Sequence, residues 1–159
     1  MGEVLQRVEV DIFADYFQFY LWDKVADPSV AVDWTDEDVS NRLKAAPNVA
    51  IVSPVRNMTV PVAVELLGGS PDYPLDEWDH VAECSLDLPS GVLELHECTG
   101  GSIATLRVSP GIYRVRAYYG GLDTLSENGL EGEDRYLVTL WRAPLADLNV
   151  LKQWHGDVG

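Results

Sequence analysis

Positive charge is scarce in this sequence. Its 11 Lys and Arg stand against 26 Asp and Glu, leaving a net charge of −15 over 159 residues. A surface of that sign repels the phosphate backbone, which excludes a general nucleic-acid binder and favours a basic protein partner. Cysteine is scarce too, and Cys84 and Cys98 are too few for a disulfide framework, so reduced, separate thiols are expected. No apolar run reaches the ~18 residues of a membrane helix. Residues Met1 to Arg7 lack the basic start and apolar stretch of a secretory leader. The expectation is a cytoplasmic protein without membrane contact. Catalytic signatures are missing as well: there is no G-x-S-x-G elbow, no H-E-x-x-H helix and no phosphate-cradling glycine motif. Neither an enzyme nor a cofactor is implied.

Hydrophobic residues are not lacking. They make up 47% of the chain and recur with a pattern, which excludes charge-driven disorder. Val8, Val10 and Ile12 alternate with Glu9 and Asp11, the period of a strand with one wet face. The aromatic run 16–22 reads as a buried strand. Further strands are expected at about 49–53, 60–67, 80–88, 92–97, 103–108, 112–119 and 136–142. Glycine pairs at 68–69, 100–101 and 120–121 punctuate them, as do Pro89-Ser90-Gly91 and Ser109-Pro110-Gly111. Nine strands of this kind predict an all-β fold, a two-sheet antiparallel β-sandwich spanning 1–159 as one domain. An acidic loop is expected at about 122–134 and a short tail at about 144–159.

One short α-helix is predicted at about 36–46. Thr35 is a candidate N-cap, Asp38 can reach back in a shortened capping box, and Trp34 and Val39 hold the hydrophobic-staple positions. Asp36, Glu37 and Asp38 complement the helix dipole, each stabilising by ~0.3–1 kcal/mol at low salt. Val39, Leu43 and Ala46 give a short apolar stripe for packing, and Pro47 closes the helix.

The acids come in bursts. Asp33, Asp36, Glu37 and Asp38 adjoin Trp34; Asp76, Glu77 and Asp79 adjoin Trp78; Glu127, Glu131, Glu133 and Asp134 fall in the loop. Indole rings anchor protein interfaces, while flanking carboxylates steer Arg and Lys of a partner. The nine residues of the first two bursts, tryptophans included, are therefore the candidate partner-binding set. The alternative is a small-ligand, calcium or carbohydrate-binding module, although neither burst has EF-hand spacing. The strands of Cys84 and Cys98 flank Pro89-Ser90-Gly91 and are expected to form a hairpin, which would allow Cys84, His96 and Cys98 to meet. With a two-residue turn Cys84 faces Glu97; with a three-residue loop both thiols share a face. Such a trio can ligate zinc, but small core cysteines are the plainer reading, and no metal site is assigned.

Tyr16-Phe17-Gln18-Phe19, followed by Val32-Asp33-Trp34-Thr35-Asp36-Glu37 at a helix start, resembles the opening of the competence protein J family. Val49-Ala50-Ile51, Arg56-Asn57, the strand near Val62 to Leu66 and Ser109-Pro110-Gly111-Ile112-Tyr113 fit it more loosely, over about residues 8–142. The resemblance implies a non-enzymatic inhibitor that binds a DNA-entry nuclease of competence in bacteria. The chain departs from that pattern in the 122–134 segment and in its Gln153-Trp154-His155-Gly156 ending. A related nuclease, or the toxin of an immunity pair, is therefore an equally fitting target.

Overall fold

The computed structural model describes residues 2–26 and 33–155. Met1, Val32 and residues 156–159, which entered the readings above, lie outside them. The elements in chain order are β1 (Val4–Phe13), β2 (Phe19–Asp23), α1 (Asp36–Asn41), β3 (Leu43–Ala46), β4 (Val49–Val52), β5 (Thr59–Leu67), β6 (His80–Leu88), β7 (Val92–Glu97), β8 (Ser102–Arg107), β9 (Gly111–Gly120), β10 (Arg135–Arg142) and β11 (Asn149–Lys152). A six-stranded sheet runs β1-β5-β10-β9-β6-β11, and a five-stranded one β3-β4-β2-β7-β8. Pairing is antiparallel except between β10 and β5. This is the expected all-β sandwich of two sheets.

Alternation builds the core. In β9, Tyr113, Val115, Ala117 and Tyr119 point inward, where they meet Leu21, Leu93 and Leu95 from the opposite sheet's strands. The residues between them, Arg114 and Arg116, reach Glu83 on the outer face, with the Arg116 Nε–Glu83 Oε1 bond at 2.8 Å. Each fully buried Leu or Val contributes ~1.5–3 kcal/mol relative to exposure, so this continuous apolar layer holds the sheets together.

Four expectations shift. The helix stops at Asn41, not 46, because Arg42 takes a left-handed conformation (φ 56°) and its N–H bonds to the carbonyls of Asp38 and Val39. Leu43 to Ala46 instead pair with Val52 to Val49 as a hairpin turned by Pro47 and Asn48. Strand pairing and burial of Leu43 overrode a modest helical pattern. Val39 consequently stays 54% exposed rather than packing on the sandwich. The 16–22 strand begins only at Phe19, since Asp15–Phe17 form a short 3-10 turn. The tail carries β11, paired with β6, which with β3 raises the strand count to eleven among the described residues.

The fourth correction concerns Pro89-Ser90-Gly91, which does not close a hairpin. β6 lies in one sheet and β7 in the other, so the turn is a corner between sheets. A second corner, Ser109-Pro110-Gly111, crosses beside it, and the Val108 N–H donates to Gly91 O at 2.8 Å. Gly91 has φ 73°, and a Cβ there would fall 2.4 Å from Val108 O, so the crossing requires glycine.

Candidate protein-binding surface

β6, β10 and β5 start, and β9 and β1 finish, at one end of the six-stranded sheet. The loops there carry most of the acids singled out above. Helix α1 opens as the sequence predicts: the Thr35 hydroxyl accepts from the Asp38 N–H at 3.1 Å, and Asp38 Oδ2 accepts from the Thr35 N–H at 3.0 Å. Asp38 also pairs with Lys44. The ammonium of Lys44 and the Thr35 amide hold the Asp38 carboxyl below the usual carboxylate range. This carboxylate caps the helix and is already neutralised, whereas Asp33, Asp36 and Glu37 are exposed.

The second burst behaves the same way. Asp79 Oδ2 accepts from the Leu122 N–H at 2.9 Å, which fastens the strand entry to the start of the long loop. Asp76 and Glu77 are exposed. Trp78 is half-buried, covered on one side by the Arg135 guanidinium 4.5 Å from its ring. Trp34 is also half-buried, packed beside Tyr20, Val49 and Ile51. Neither indole projects as a free anchor.

Residues 152–154 bind the bursts into one surface. Lys152 Nζ donates to Leu75 O, Gln153 Nε2 to Ser40 O, and Trp154 Nε1 to Asp123 Oδ1. Arg42 stacks on Trp154 at 5.0 Å. The loop between β9 and β10 supplies exposed Asp123, Glu127, Glu131 and Glu133, while Asp134 is 1% exposed and bonded to Arg56 at 2.8 Å. Of the nine candidate residues, five thus present open carboxylates (Asp33, Asp36, Glu37, Asp76, Glu77), and those five make no ion pair among the described residues.

Sequence reading missed two residues here. Tyr16 and Phe17 stand out from the turn after β1, 67% and 40% exposed, and both have left-handed backbones at φ 58° and 57°. The Asp15 carboxylate supports the turn by accepting from the Tyr16 N–H and the Thr99 hydroxyl. The one available signal was that Ala14-Asp15 breaks the alternation of β1 ahead of the aromatic run.

Cys84, His96 and Cys98 do not converge. Cys84 is fully buried between the sheets, and burial pushes its thiol up to about 12. Cys98 Sγ accepts from the Tyr20 hydroxyl at 3.1 Å, and the His96 ring packs at a tilt against Trp22, their centroids 4.6 Å apart. Among the described residues no three His, Cys, Asp or Glu side chains form a metal-binding group. Nor is any described helix long and apolar enough to cross a membrane.

No protein-family model and no curated protein matches the sequence. Two solved structures match the fold. One is Crocagin biosynthetic gene J, with TM-score 0.55 and 20% identity over 91% of this chain and 99% of that one. The other is ComJ from Bacillus subtilis, an inhibitor of the DNA-degrading activity of NucA. It gives TM-score 0.67 and 17% identity over 90% of this chain and 99% of that one. The chain has a ComJ-like fold.

Proposed function

We propose that this chain is an acidic, non-enzymatic inhibitor of a bacterial DNA nuclease, acting in the cytoplasm and occluding the basic groove into which DNA would bind. A ComJ-like fold makes inhibition the leading role, and because one fold serves unrelated functions, the choice rests on the surface rather than on the fold alone. The observation that carries the reading is the gathering of exposed carboxylates from three segments at one end. Asp33, Asp36 and Glu37, then Asp76 and Glu77, then Asp123, Glu127, Glu131 and Glu133 flank the contacts made by residues 152–154. A nuclease groove built for phosphates presents Arg and Lys at intervals, and a carboxylate surface is its electrostatic complement.

The mechanism needs no cofactor. Long-range attraction brings the two proteins together, and contact then excludes DNA. Because exposed charges are screened beyond ~8 Å at physiological salt, association slows as salt rises. The test is titration of the purified chain against NucA from Bacillus subtilis and the DNA nuclease encoded nearest to its own gene. DNA cleavage would be followed at low and high ionic strength. Inhibition that weakens with salt is expected, and full cleavage by both enzymes at every salt concentration would remove the reading.

A further inference from the structure

The acidic surface explains attraction but supplies no apolar centre, because Trp34 and Trp78 are both partly covered. We infer that the Tyr16–Phe17 knuckle and the groove beside it are the anchor of the docking surface. They would take an apolar side chain carried on a basic segment of the partner protein. This rests on the inhibitor reading above and names the contact within it.

Three observations converge on this point. The first is backbone strain. Two consecutive aromatic residues with left-handed backbones are uncommon, since a Cβ crowds the following carbonyl in that conformation. Fold stability alone gives no reason to keep Tyr16 there, because its ring is 67% exposed. Glycine would make the same turn without strain. A strained residue that displays its ring to solvent fits a binding role better than a packing one.

The second is shape. A groove of about 240 Å³ opens beside the knuckle, walled by Phe17, Trp34, Val39, Pro54 and Val55. Val39 is 54% exposed and Met58, on the adjoining segment, 38%. The Ser53 hydroxyl donates to Phe17 O at 2.8 Å, and the Phe17 N–H to Ala14 O at 3.0 Å, so the knuckle is fixed before any partner arrives. Pre-set aromatic rings lose little entropy on binding, which is why such residues dominate interface energetics.

The third is charge. Asp33 adjoins the groove residue Trp34, Asp36 lies one helical turn before Val39 in α1, and Asp15 adjoins Tyr16. The one cation among the lining residues, Arg42, has its guanidinium stacked on Trp154. An apolar slot whose lining residues have acidic neighbours selects a segment in which an apolar residue lies beside Arg or Lys.

The experiment compares the intact chain with Tyr16→Gly and Phe17→Ala in the same nuclease titrations, alongside thermal unfolding. Tyr16→Gly is expected to raise the melting temperature by about 2–4 °C, the shift that relief of one strained residue gives in a chain of this size. It is expected at the same time to weaken nuclease binding at least about tenfold, with the loss in the dissociation rate and present at high salt. Phe17→Ala should weaken binding to a similar degree. A stability gain coupled to a binding loss is an outcome that a merely structural residue does not produce. Wild-type inhibition left unchanged by both variants overturns the anchor and spares the inhibitor reading. Absence of wild-type inhibition removes both.

Discussion

The main-chain N–H of Trp154 donates to Nδ1 of His80 at 3.1 Å, while Nε2 of the same buried ring bonds to the carbonyl of Asn41 at 2.7 Å. The first contact needs an unprotonated Nδ1 and the second a proton on Nε2, so only the neutral Nε2–H tautomer satisfies both. One imidazole therefore joins the end of α1 to the C-terminal segment. Burial lowers the His80 pKa, with Arg42 acting in the same direction and the Asn41 carbonyl partly opposing it. The unfolded chain protonates near ~6.5 and the folded chain only lower, so the unfolded state binds more protons in between. The contribution of His80 to stability is complete above that unfolded value. It is lost as pH falls from there through the depressed folded value. Unfolding midpoints measured from pH 8 to pH 5 should decline below pH 6.5 in the native chain, and the decline should be shallower in His80→Gln.

Carboxylates that look alike in sequence divide by role, and substitution separates them. Asp33, Asp76, Glu77 and Glu127 are exposed, so replacing the four by Asn or Gln should leave the melting temperature within about 2 °C. The same change should slow association with the nuclease about tenfold at low salt and flatten its salt dependence. Asp38→Ala should do the reverse, removing ~1 kcal/mol of capping with little effect on association. Stopped-flow association rates beside thermal melts read both. Equal effects of the two sets on association would break the distinction.

How far the sequence spoke can be judged from particular elements. The two-sheet architecture was readable because core-facing Val, Ile, Leu and Tyr recur at the strand period, as in β9 and β10. The helix start was readable because capping is local: Thr35 and Asp38 lie three residues apart and need no distant partner. Its end was not, because Leu43 to Ala46 are drawn into pairing with β4 by contacts that no window of sequence contains. The supposed hairpin at 89–91 failed for a related reason, since a corner between sheets and a turn within one use the same Pro, Ser and Gly. In the candidate surface the acidic bursts were found, but Asp38 and Asp79 proved to be fasteners, and Tyr16 and Phe17 were hidden inside an aromatic run read as core.

Thiol chemistry offers a check on the packing between the sheets. Cys84 has no exposed surface and its pKa is pushed up to about 12 by burial, so little thiolate exists at pH 8 and reagent cannot reach it. Cys98 is only partly covered, beneath the Tyr20 hydroxyl. Iodoacetamide at pH 8 should modify the native protein once, at Cys98, with Cys84 reacting only after denaturation. Mass spectrometry of the labelled peptides decides it. Rapid labelling of Cys84 in the folded protein would contradict the placement of β6 in the core.

Asp134 is the acid in the 122–134 segment on which the fold depends most. Its Oδ1 accepts from Arg56 Nε at 2.8 Å and its Oδ2 from the Tyr136 hydroxyl at 2.6 Å, and that phenol oxygen in turn accepts from the Val55 N–H at 3.0 Å. Burial and the adjacent Asp134 charge push the Tyr136 pKa up, so the phenol stays protonated and keeps donating. The chain of bonds ties the 53–58 segment, which walls the aromatic groove, to the base of the acidic loop. Asp134→Ala would leave the Arg56 guanidinium, 12% exposed, without its counter-ion. The expected loss is ~3–5 kcal/mol, the range for breaking a buried pair by removing one partner. Arg56→Ala should also destabilise, but the double variant should lose less than the sum of the two, because no orphaned charge then remains. Urea unfolding of the two single variants and the double variant provides the cycle. Strictly additive losses would show that Arg56 and Asp134 do not act as a pair.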